Sequence, residues 1–446
     1  MGRVRAATVS TARPVRRALL LVVACLLIYN ANLRETSSGD TAGVRLLPAI
    51  IVLEHRLHLD SFFRGYPPSQ EPPYWAQRAN GHYRSSYPIL PALLAVPVYA
   101  LPVYLFGAES WAFVNLLSKA SASLFAALSV LFVYLTIRRL TPDPPALRIA
   151  AVYAVGTSTW SIASQGLWGH GPAQLFLAAA LYATLRADAD PRVFHAVGLA
   201  TGLMVATRPG TALMALALLA YVWHRDRRAG CWSALLFATV ALAVVWHNLA
   251  TFGSVGGGYA ELHATHATRH GVEGAFASPL GQGLLGLLVS PSRGLLVYSP
   301  VLLFAFAGML LALVARRPPF YGYLAAGLLA SLLMLGKYSV WWGGQSFGPR
   351  LPTDFLPALV VFLVPVLERL RGARLGQAAF ASLFALSVAV QVVGAFYYPS
   401  RRDVDWNTSP RDVDFAHERL WDWRDPQLLR LLANGPRPPG FGLPPP

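Results

Sequence analysis

The sequence places one carboxylate and several cations in polar turns that separate long apolar runs. Asp40 lies in NLRETSSGDTAGVRLL, about ten residues after the first apolar run, where a carboxylate close to bulk water can accept a proton. Arg293 and Arg350 lie in turns bounded by glycine and proline, and a guanidinium fork matches the oxygens of a phosphate. These residue types predict a site for an anionic partner that carries a phosphate, with Asp40 as the candidate catalytic residue.

Four turns of similar composition, two of which carry Arg293 and Arg350, supply the candidates other than Asp40. They are SQGLWGHGPAQ, HNLATFGSVGGGY, VSPSRGLLVYSP and KYSVWWGGQSFGPRLPTD. The predicted phosphate-binding residues are Arg293, Arg350, Lys337 and His170. The predicted substrate-contacting residues are Trp341, Trp342, Gln345 and Tyr259. Such turns let a ligand approach the backbone, which is why their polar side chains are candidates.

Each candidate also has an ordinary structural interpretation. Asp40 would cap the short helix that follows it, with Thr41 helping. The arginines would extend from helix ends towards water, and His170 would be a hydrogen-bonded histidine at the membrane boundary. The tryptophan pair would belong to the aromatic belt of a membrane protein. Arg208, in TRPGT between two short apolar runs, is interpreted as structural.

Composition identifies the elements that must position these residues as membrane helices. The chain is 55% hydrophobic and 13% charged, which is too apolar for a soluble domain of 446 residues. Its net charge of +16 comes from small basic groups between apolar runs, a distribution that orients helices in a bilayer and argues against nucleic-acid binding. Cys25 and Cys231 show no metal-ligand spacing and predict no disulfide.

Arginine clusters predict the topology. The basic N-terminus, which includes Arg3 and Arg5, indicates a cytoplasmic start and an uncleaved first helix over about residues 17–32. Ten more spans are expected at 110–137, 149–162, 172–185, 195–207, 210–223, 232–250, 295–315, 320–338, 352–368 and 376–396. The expectation is therefore an all-α polytopic protein with about eleven transmembrane helices, its N-terminus inside and its C-terminus outside.

The predicted organisation is a membrane domain over residues 1–396 and a short external tail over 397–446. Residues 33–90 form the first external loop, in which the run 44–55 is too short to span and predicts an interfacial helix. Residues 251–294 form a second large external loop without an apolar run long enough to span. Residues 88–106 contain four prolines, which predict a broken and partly embedded segment.

The order of four motifs resembles a known family. GHYRSSYPILPALLAVPVYAL, AVGTSTWSIASQGLWGHGPAQ, SPSRGLLVYSPVLL and WWGGQSFGPRLPTDFLPAL follow a long loop with an early aspartate. This arrangement is similar to that of bacterial integral-membrane glycosyltransferases of the GT-C superfamily. The resemblance covers most of the chain to about Pro357, and RLWDWRDPQLLR in the tail also fits.

The resemblance implies a polyprenyl-phosphate-linked sugar donor and inverting transfer to a hydroxyl of a lipid, glycan or protein acceptor. It also implies an active site on the external face of the bacterial inner membrane. The superfamily typically has two acidic residues in the first external loop, whereas only Asp40 stands there, with Glu35, Glu54 and Asp60 the nearest others. A Mg²⁺ or Mn²⁺ ion is compatible with the chemistry, but the spacing establishes no ligand set.

A transporter, or a non-catalytic binder of lipid phosphate on the same scaffold, is the alternative function. A transporter would place ionisable residues at mid-membrane along broken helices. In this sequence the predicted site residues gather on one face instead, which favours the enzyme.

Overall fold

The chain folds into a helical assembly with one small β-hairpin. A computed structural model describes residues 12–36, 38–67, 69–108, 110–187, 190–269, 274–401 and 403–441. Arg3 and Arg5, on which the predicted orientation partly depends, lie outside the described residues.

Nine helices and the hairpin form the first part of the chain as described. The helices are α1 (Ala12–Asn30), α2 (Gly39–Glu54), α3 (Leu90–Phe106), α4 (Trp111–Leu140), α5 (Asp143–Val155), α6 (His170–Arg186), α7 (Phe194–Thr207), α8 (Ala212–Arg225) and α9 (Arg227–Phe252). A π-helical turn at Thr159–Ala163 lies between α5 and α6. The antiparallel strands β1 (Ala76–Ala79) and β2 (His82–Ser85) lie inside the first external loop.

Shorter helices are frequent in the second part. The helices are α10 (Gly257–Arg269), α11 (Leu280–Val289), α12 (Leu295–Tyr298), α13 (Leu303–Val314), α14 (Pro319–Lys337), α15 (Leu356–Leu359), α16 (Leu363–Arg369), α17 (Arg374–Tyr397) and α18 (Gln427–Asn434). Short 3₁₀ turns at Pro300–Leu302, Leu351–Phe355, Val360–Phe362 and His417–Trp421 connect several of them.

The all-α membrane fold predicted from composition is confirmed. In the described parts of the chain, five helical segments are long and apolar enough to cross a bilayer: Trp111–Leu140, Arg227–Phe252, Pro319–Lys337, Leu351–Arg369 and Arg374–Tyr397. Shorter apolar helices accompany them, among them α3, α7 and α11. The expected total of about eleven spans stays a prediction.

Several buried hydroxyl groups inside the apolar helices are hydrogen-bonded within their own helix. Thr184 Oγ1 donates to the Ala180 carbonyl at 2.7 Å, and Thr201 Oγ1 donates to the Val197 carbonyl at the same distance. Ser331 Oγ donates to the Gly327 carbonyl at 2.7 Å. Because hydrocarbon offers no partner, these internal bonds allow a hydroxyl to be buried in a membrane helix.

The predicted break in residues 88–106 is wrong. Leu90–Phe106 is a single helix that contains Pro97 and Pro102. Helix α2 packs along it, and neighbouring elements of this kind compensate for the hydrogen bonds that proline removes. The sequence pattern counted the prolines without the packing partner that supports them.

One segment predicted to be a continuous span is interrupted instead. The expected span 295–315 is divided into α12, a 3₁₀ turn that begins at Pro300, and α13, because proline has no N–H to continue the ladder. The segment 251–294, predicted to contain no apolar run long enough to span, contains the helices α10 and α11, which have 13 and 10 residues. Its apolar helix α11 packs against α14.

The predicted short helix in the first external loop is present as α2, five residues longer at its start than expected. Its residues from Gly39 to Ile50 are mostly buried, because α3 and the hairpin region cover it. A helix wrapped in this way holds its first turn, which carries Asp40, in a fixed position.

Helix α13 packs so closely on the segment 351–369 that only glycine fits at residue 308. A Cβ atom at Gly308 would lie 1.8 Å from the Phe362 carbonyl oxygen, whereas a Cβ at Gly322 in α14 would meet nothing within 4 Å. We therefore expect Gly308→Ala to lower the free energy of unfolding by about 1–3 kcal/mol, the usual cost of overpacking.

Gly322→Ala is the matched control, since it adds the same methyl group to a helix in open space. It should leave the stability unchanged or raise it by up to about 1 kcal/mol. Thermal unfolding in one detergent measures both variants. Equal melting temperatures for the two would contradict the close packing of α13.

Candidate active site

A cavity of about 690 Å³ lies where the first external loop meets the later turns of the chain. Its wall includes Asp40 from α2, Trp168 before α6, Arg208 between α7 and α8, Tyr259 from α10 and Arg350. The C-terminal segment 397–441 closes another side of the cavity. Residues far apart in the sequence thus share one chamber, whose wall combines charged and apolar side chains.

Asp40 and Arg350 form an ion pair on the cavity wall, in which Arg350 Nη1 donates to Asp40 Oδ2. Tyr74 Oη donates to the other carboxylate oxygen, Oδ1, at 2.8 Å. The side chains of Arg350 and Asp40 are only 15% and 14% exposed. The predicted base and a predicted phosphate-binding residue are therefore direct partners, and Arg350 also lies 5.0 Å from the centre of the Trp168 ring.

The pKa of Asp40 is held well below its usual range. Burial by itself raises this pKa, but the Arg350 charge and the hydrogen bonds from Tyr87, Arg350 and Tyr74 outweigh burial. The carboxylate is therefore ionised, and its capacity to take a proton is weak while the pair is intact.

Asp40 is not the cap of α2. Ser38 is the N-cap residue: its Oγ accepts from the Asp40 N–H at 3.2 Å, and Thr41 Oγ1 accepts from the Ser38 N–H at 3.2 Å. The capping interpretation of the Asp40 side chain is wrong, because that side chain faces Tyr74 and Arg350 instead. The participation of Thr41 in the cap is confirmed.

Behind this pair lies a second charged group made by His170, Asp354 and Arg208. His170 Nδ1 is 2.7 Å from Asp354 Oδ1, and Arg208 Nε donates to Asp354 Oδ2 at 3.1 Å. Arg208 reaches the cavity wall, whereas His170 is fully buried behind it. Arg208 was interpreted as structural, but its guanidinium is a second one that lines the cavity. The signal was its turn, which is bounded by proline and glycine like those of the other candidates.

Arg293 does not line the cavity, which corrects its assignment as a phosphate-binding residue. It is 1% exposed and stacks 5.2 Å from the Trp406 ring centre. Its five hydrogen bonds go to the carbonyls of Trp342, Ser292 and Gly344, to Gln427 Oε1 and to Asn407 Oδ1. A guanidinium has five N–H donors, so none of them is left for a phosphate.

Three further residues that were predicted to contact the substrate or its phosphate do not line the cavity. Trp341 and Trp342 are each 3% exposed and pack in a hydrophobic cluster with Trp406. Side chains buried in this way neither join an aromatic belt at the membrane boundary nor stack on a sugar. Trp342 Nε1 donates to Asp414 Oδ1 at 2.8 Å. Lys337 ends α14 with an exposed side chain that lies away from the cavity lining.

Tyr259 and Gln345 do line the cavity. Tyr259 packs against the His263 ring at 4.3 Å, and Gln345 Nε2 donates to Asp412 Oδ2 at 2.7 Å. Both side chains present polar groups at a chamber wall, where a sugar hydroxyl would find partners.

The C-terminal tail contributes a wall that sequence analysis did not assign to the site. Asp405, Asp412 and Asp414 line the cavity together with neighbouring residues of the tail. Their spacing in DVDWNTSPRDVDF was a visible signal, since aspartates are clustered there in a short segment. The tail is an integral part of the chamber rather than a free extension.

The cavity residues do not fit a Mg²⁺ or Mn²⁺ site. Both oxygens of Asp40 are already engaged by Arg350 and Tyr74. Within the described ranges, the group of three possible metal ligands that lie close together is His58, Asp60 and His82, and none of these lines the cavity. A divalent cation, which the sequence left open, therefore finds no ligand set around Asp40 among the described residues.

Part of the sequence matches a known protein family. Residues 91–250, just over a third of the chain, match the family described as dolichyl-phosphate-mannose-protein mannosyltransferase. Among curated proteins no significant match to the chain is found.

Solved structures extend the similarity over most of the chain. ArnT from Cupriavidus metallidurans bound to undecaprenyl phosphate is similar with a TM-score of 0.52 at 15% identity, over 85% of this chain and 70% of that one. The oligosaccharyltransferase of Archaeoglobus fulgidus in complex with Zn and sulfate has a TM-score of 0.53 at 14% identity, over 91% and 57%. The oligosaccharyltransferase AglB of the same organism, in complex with an inhibitory peptide and a dolichol-phosphate, has a TM-score of 0.52 at 15% identity, over 85% and 55%.

At such low identity these likenesses establish the fold. The chain spans 57% and 55% of the two archaeal chains. The resemblance seen in the four sequence motifs is confirmed: this chain has the fold of the GT-C membrane glycosyltransferases, and its residues 91–250 match one of their families.

Proposed function

We propose that this protein transfers a sugar from a polyprenyl-phosphate donor to an acceptor hydroxyl, with inversion at the anomeric carbon. The observation that carries the proposal is the buried pair of Asp40 and Arg350 on the wall of a cavity of about 690 Å³. A base and a phosphate-binding cation side by side are the two groups that this displacement requires.

Phosphate recognition is assigned to Arg350 and Arg208. Both guanidinium groups reach the cavity, and a planar guanidinium binds phosphate oxygens bidentately. The Trp168 ring supports the plane of Arg350 at 5.0 Å, which limits the orientations of its N–H groups. Undecaprenyl phosphate and dolichol-phosphate are bound in the similar proteins ArnT and AglB, which have the same fold.

The reaction is a single displacement. The acceptor oxygen forms a bond to the anomeric carbon as the bond from that carbon to the phosphate oxygen breaks. The phosphate leaves with the electron pair and is stabilised by Arg350, while the acceptor proton passes to Asp40. Because one nucleophile attacks from the face opposite the leaving group, the configuration at carbon inverts.

Donor binding would activate the base in this mechanism. In the unliganded arrangement Arg350 lowers the pKa of Asp40, which makes the carboxylate a poor proton acceptor. A donor phosphate competes for the guanidinium, so its arrival raises the pKa of Asp40 towards the ordinary value. The acceptor is therefore deprotonated only when a donor is present.

The remaining walls suit the two substrates. Tyr259, Gln345 and Asp412 offer hydroxyl, amide and carboxylate groups to a sugar or to an acceptor hydroxyl. Outside the cavity, large apolar side chains such as Leu101, Tyr104 and Phe106 are exposed on α3, and a prenyl chain would lie against such a surface. We assign the protein to the bacterial cytoplasmic membrane, with the cavity on the external face.

Arg350→Ala should weaken the binding of polyprenyl phosphate by about 1.5–3 kcal/mol, because a hydrogen-bonded charge pair with the phosphate is lost. Arg350→Lys should restore only part of the affinity, since lysine lacks the bidentate fork. Calorimetric titration of the protein in nanodiscs measures these changes. Arg350→Ala by itself leaves the Asp40 carboxylate without its charged partner, which destabilises the fold. The double variant Arg350→Ala/Asp40→Asn removes that charge as well, so a loss of affinity in it reports on binding and not on unfolding.

Lys337→Ala is the control for this experiment, since its exposed side chain lies away from the cavity lining. Its affinity for polyprenyl phosphate should equal that of the unmodified protein. Wild-type affinity in both Arg350 variants, or an equal loss in Lys337→Ala, would remove Arg350 from the phosphate site.

Asp40→Asn should reduce sugar transfer by roughly 10²-fold or more, because asparagine keeps the size of the side chain but accepts no proton. Donor binding should survive, since the guanidinium groups remain. Transfer from a polyprenyl-phosphate-sugar donor by purified protein measures the change, with the exposed tail residue Asp403→Asn as the matched control.

Near-normal transfer by Asp40→Asn would mean that another residue is the base. If the unmodified protein binds polyprenyl phosphate but transfers no sugar from any donor, the non-catalytic binder or transporter is the better description.

The external position of the cavity can be tested with thiol labelling. Cys231, exposed at the start of α9, is expected on the cytoplasmic side, and Cys25 is buried. An impermeant maleimide should therefore not label the unmodified protein in intact cells, but should label Gln345→Cys in a Cys231→Ser background. Permeabilised cells provide the control, in which Cys231 becomes reactive. The reverse pattern would place the cavity inside.

A further inference from the structure

Two histidines and one aspartate meet on the first external loop, away from the cavity. His82 Nδ1 lies 2.7 Å from Asp60 Oδ2, and His58 Nδ1 lies 3.2 Å from the same oxygen. The ligand atoms of the three residues all lie within 4.8 Å of one another. None of the three side chains lines the cavity, so the group is separate from the proposed site of sugar transfer.

The backbone fixes this arrangement. The Leu59 N–H donates to the Tyr83 carbonyl at 2.7 Å, which joins the segment after α2 to strand β2. The Tyr83 N–H donates to Asp60 Oδ1 at 2.7 Å, so the second carboxylate oxygen is left to face the two rings. His82 thus lies on the hairpin itself, and His58 and Asp60 lie in a segment that is hydrogen-bonded to it.

The contacts within the group are better suited to a cation than to hydrogen bonding alone. The rings of His58 and His82 stack with their centres 4.2 Å apart and an angle of 17° between their planes. His58 Nδ1 is buried and makes no hydrogen bond, although the Asp60 carboxylate is 3.2 Å away. Both rings thus turn a nitrogen towards the same carboxylate oxygen, an arrangement in which the two nitrogens and that oxygen can share one metal ion.

We propose that His58, Asp60 and His82 bind a divalent transition-metal ion, and that zinc fits them best. Imidazole nitrogen and carboxylate oxygen are ordinary zinc ligands, and two histidines with one carboxylate form a known ligand set. Ligand atoms around a tetrahedral zinc are about 3.3 Å apart, as follows from bond lengths of ~2.0–2.1 Å. The two histidine nitrogens lie 2.7 and 3.2 Å from Asp60 Oδ2, close to this value, and within 4.8 Å of each other.

The fourth coordination position would hold water. The side chains of His58, Asp60 and His82 are 13%, 35% and 42% exposed, so solvent reaches one side of the group. Arg84 lies close by and donates to the Leu57 carbonyl at 3.0 Å. Its positive charge opposes the binding of a cation, while the Asp60 carboxylate favours it, so the affinity is expected to be lower than that of a buried structural zinc site.

The metal would cross-link the chain after α2 to the hairpin. Helix α2 carries Asp40 in its first turn and ends at Glu54, four residues before His58. A metal at this point therefore stabilises the loop that supports the base, without taking part in the transfer reaction.

Cobalt titration of the full-length protein tests the proposal. The protein is purified in detergent with a tag that contains no histidine and is treated with a chelator. Co²⁺ should then bind with a stoichiometry of about one and give a visible ligand-field absorption, which Zn²⁺ should displace. His58→Asn and His82→Asn should each weaken binding more than about tenfold.

His55→Asn is the matched control. His55 is an exposed histidine of the same segment, and its left-handed backbone, with a φ of 53°, is one that asparagine adopts readily. This variant should bind Co²⁺ as the unmodified protein does. Zn²⁺ should also raise the melting temperature of the unmodified protein and of His55→Asn, but not that of the two ligand variants.

The proposal is overturned if the unmodified protein binds no Co²⁺, or if His58→Asn and His82→Asn bind it with wild-type affinity and absorption. The second result would mean adventitious binding at other histidines. Melting temperatures of the metal-free variants equal to that of the metal-free parent show that the variants fold. Because no readout depends on sugar transfer, the outcome is independent of the proposed function.

Discussion

Asp40 and Arg350 are 310 residues apart in the sequence, and their ion pair determines the geometry of the cavity. Removing two charges from water is costly, so each of these largely buried groups needs the other in the absence of substrate. The pair joins the first turn of α2 to the turn before the segment 351–369, and Tyr74 and Trp168 fix the two ends of it. A ligand that separates the pair must replace the lost partner of each residue. In the proposed reaction a phosphate does so for Arg350 and an acceptor proton does so for Asp40.

Much of the fold, and several residues of the cavity wall, followed from the sequence. Apolar runs bounded by arginine predicted a helical membrane protein because lipid requires every backbone group to be bonded within its own segment. Asp40, Arg350, Tyr259 and Gln345 were found from the residue type and the glycine- or proline-bounded turn that carries them, and all four line one cavity. A polar residue in such a turn has few structural partners close in sequence, which is why its composition was informative.

The errors share a different cause. Arg293 occupies the same kind of turn as Arg350, yet Gln427 and Asn407 from the tail use its donors, and no local pattern shows partners more than a hundred residues away. Trp341 and Trp342 were misplaced for the same reason, since Trp406 and Leu420 of the tail cover them. Conversely, Arg208 seemed structural because the partner that orients it, Asp354, lies in another helical segment. Long-range burial decided each case.

The wall formed by Asp405, Asp412 and Asp414 has a consequence for biosynthesis. A ribosome makes these residues after α17, so the membrane helices are inserted before the chamber has its last side. A nascent chain that has reached residue 397 already holds Asp40 and Arg350 but exposes them to water across the missing wall. Arg293, Trp341 and Trp342 would then lack their tail partners, and the turn between α14 and α15 would remain unsupported. The cavity therefore has this wall only after the residues from Tyr398 to Phe415 have been synthesised and have packed against the earlier turns.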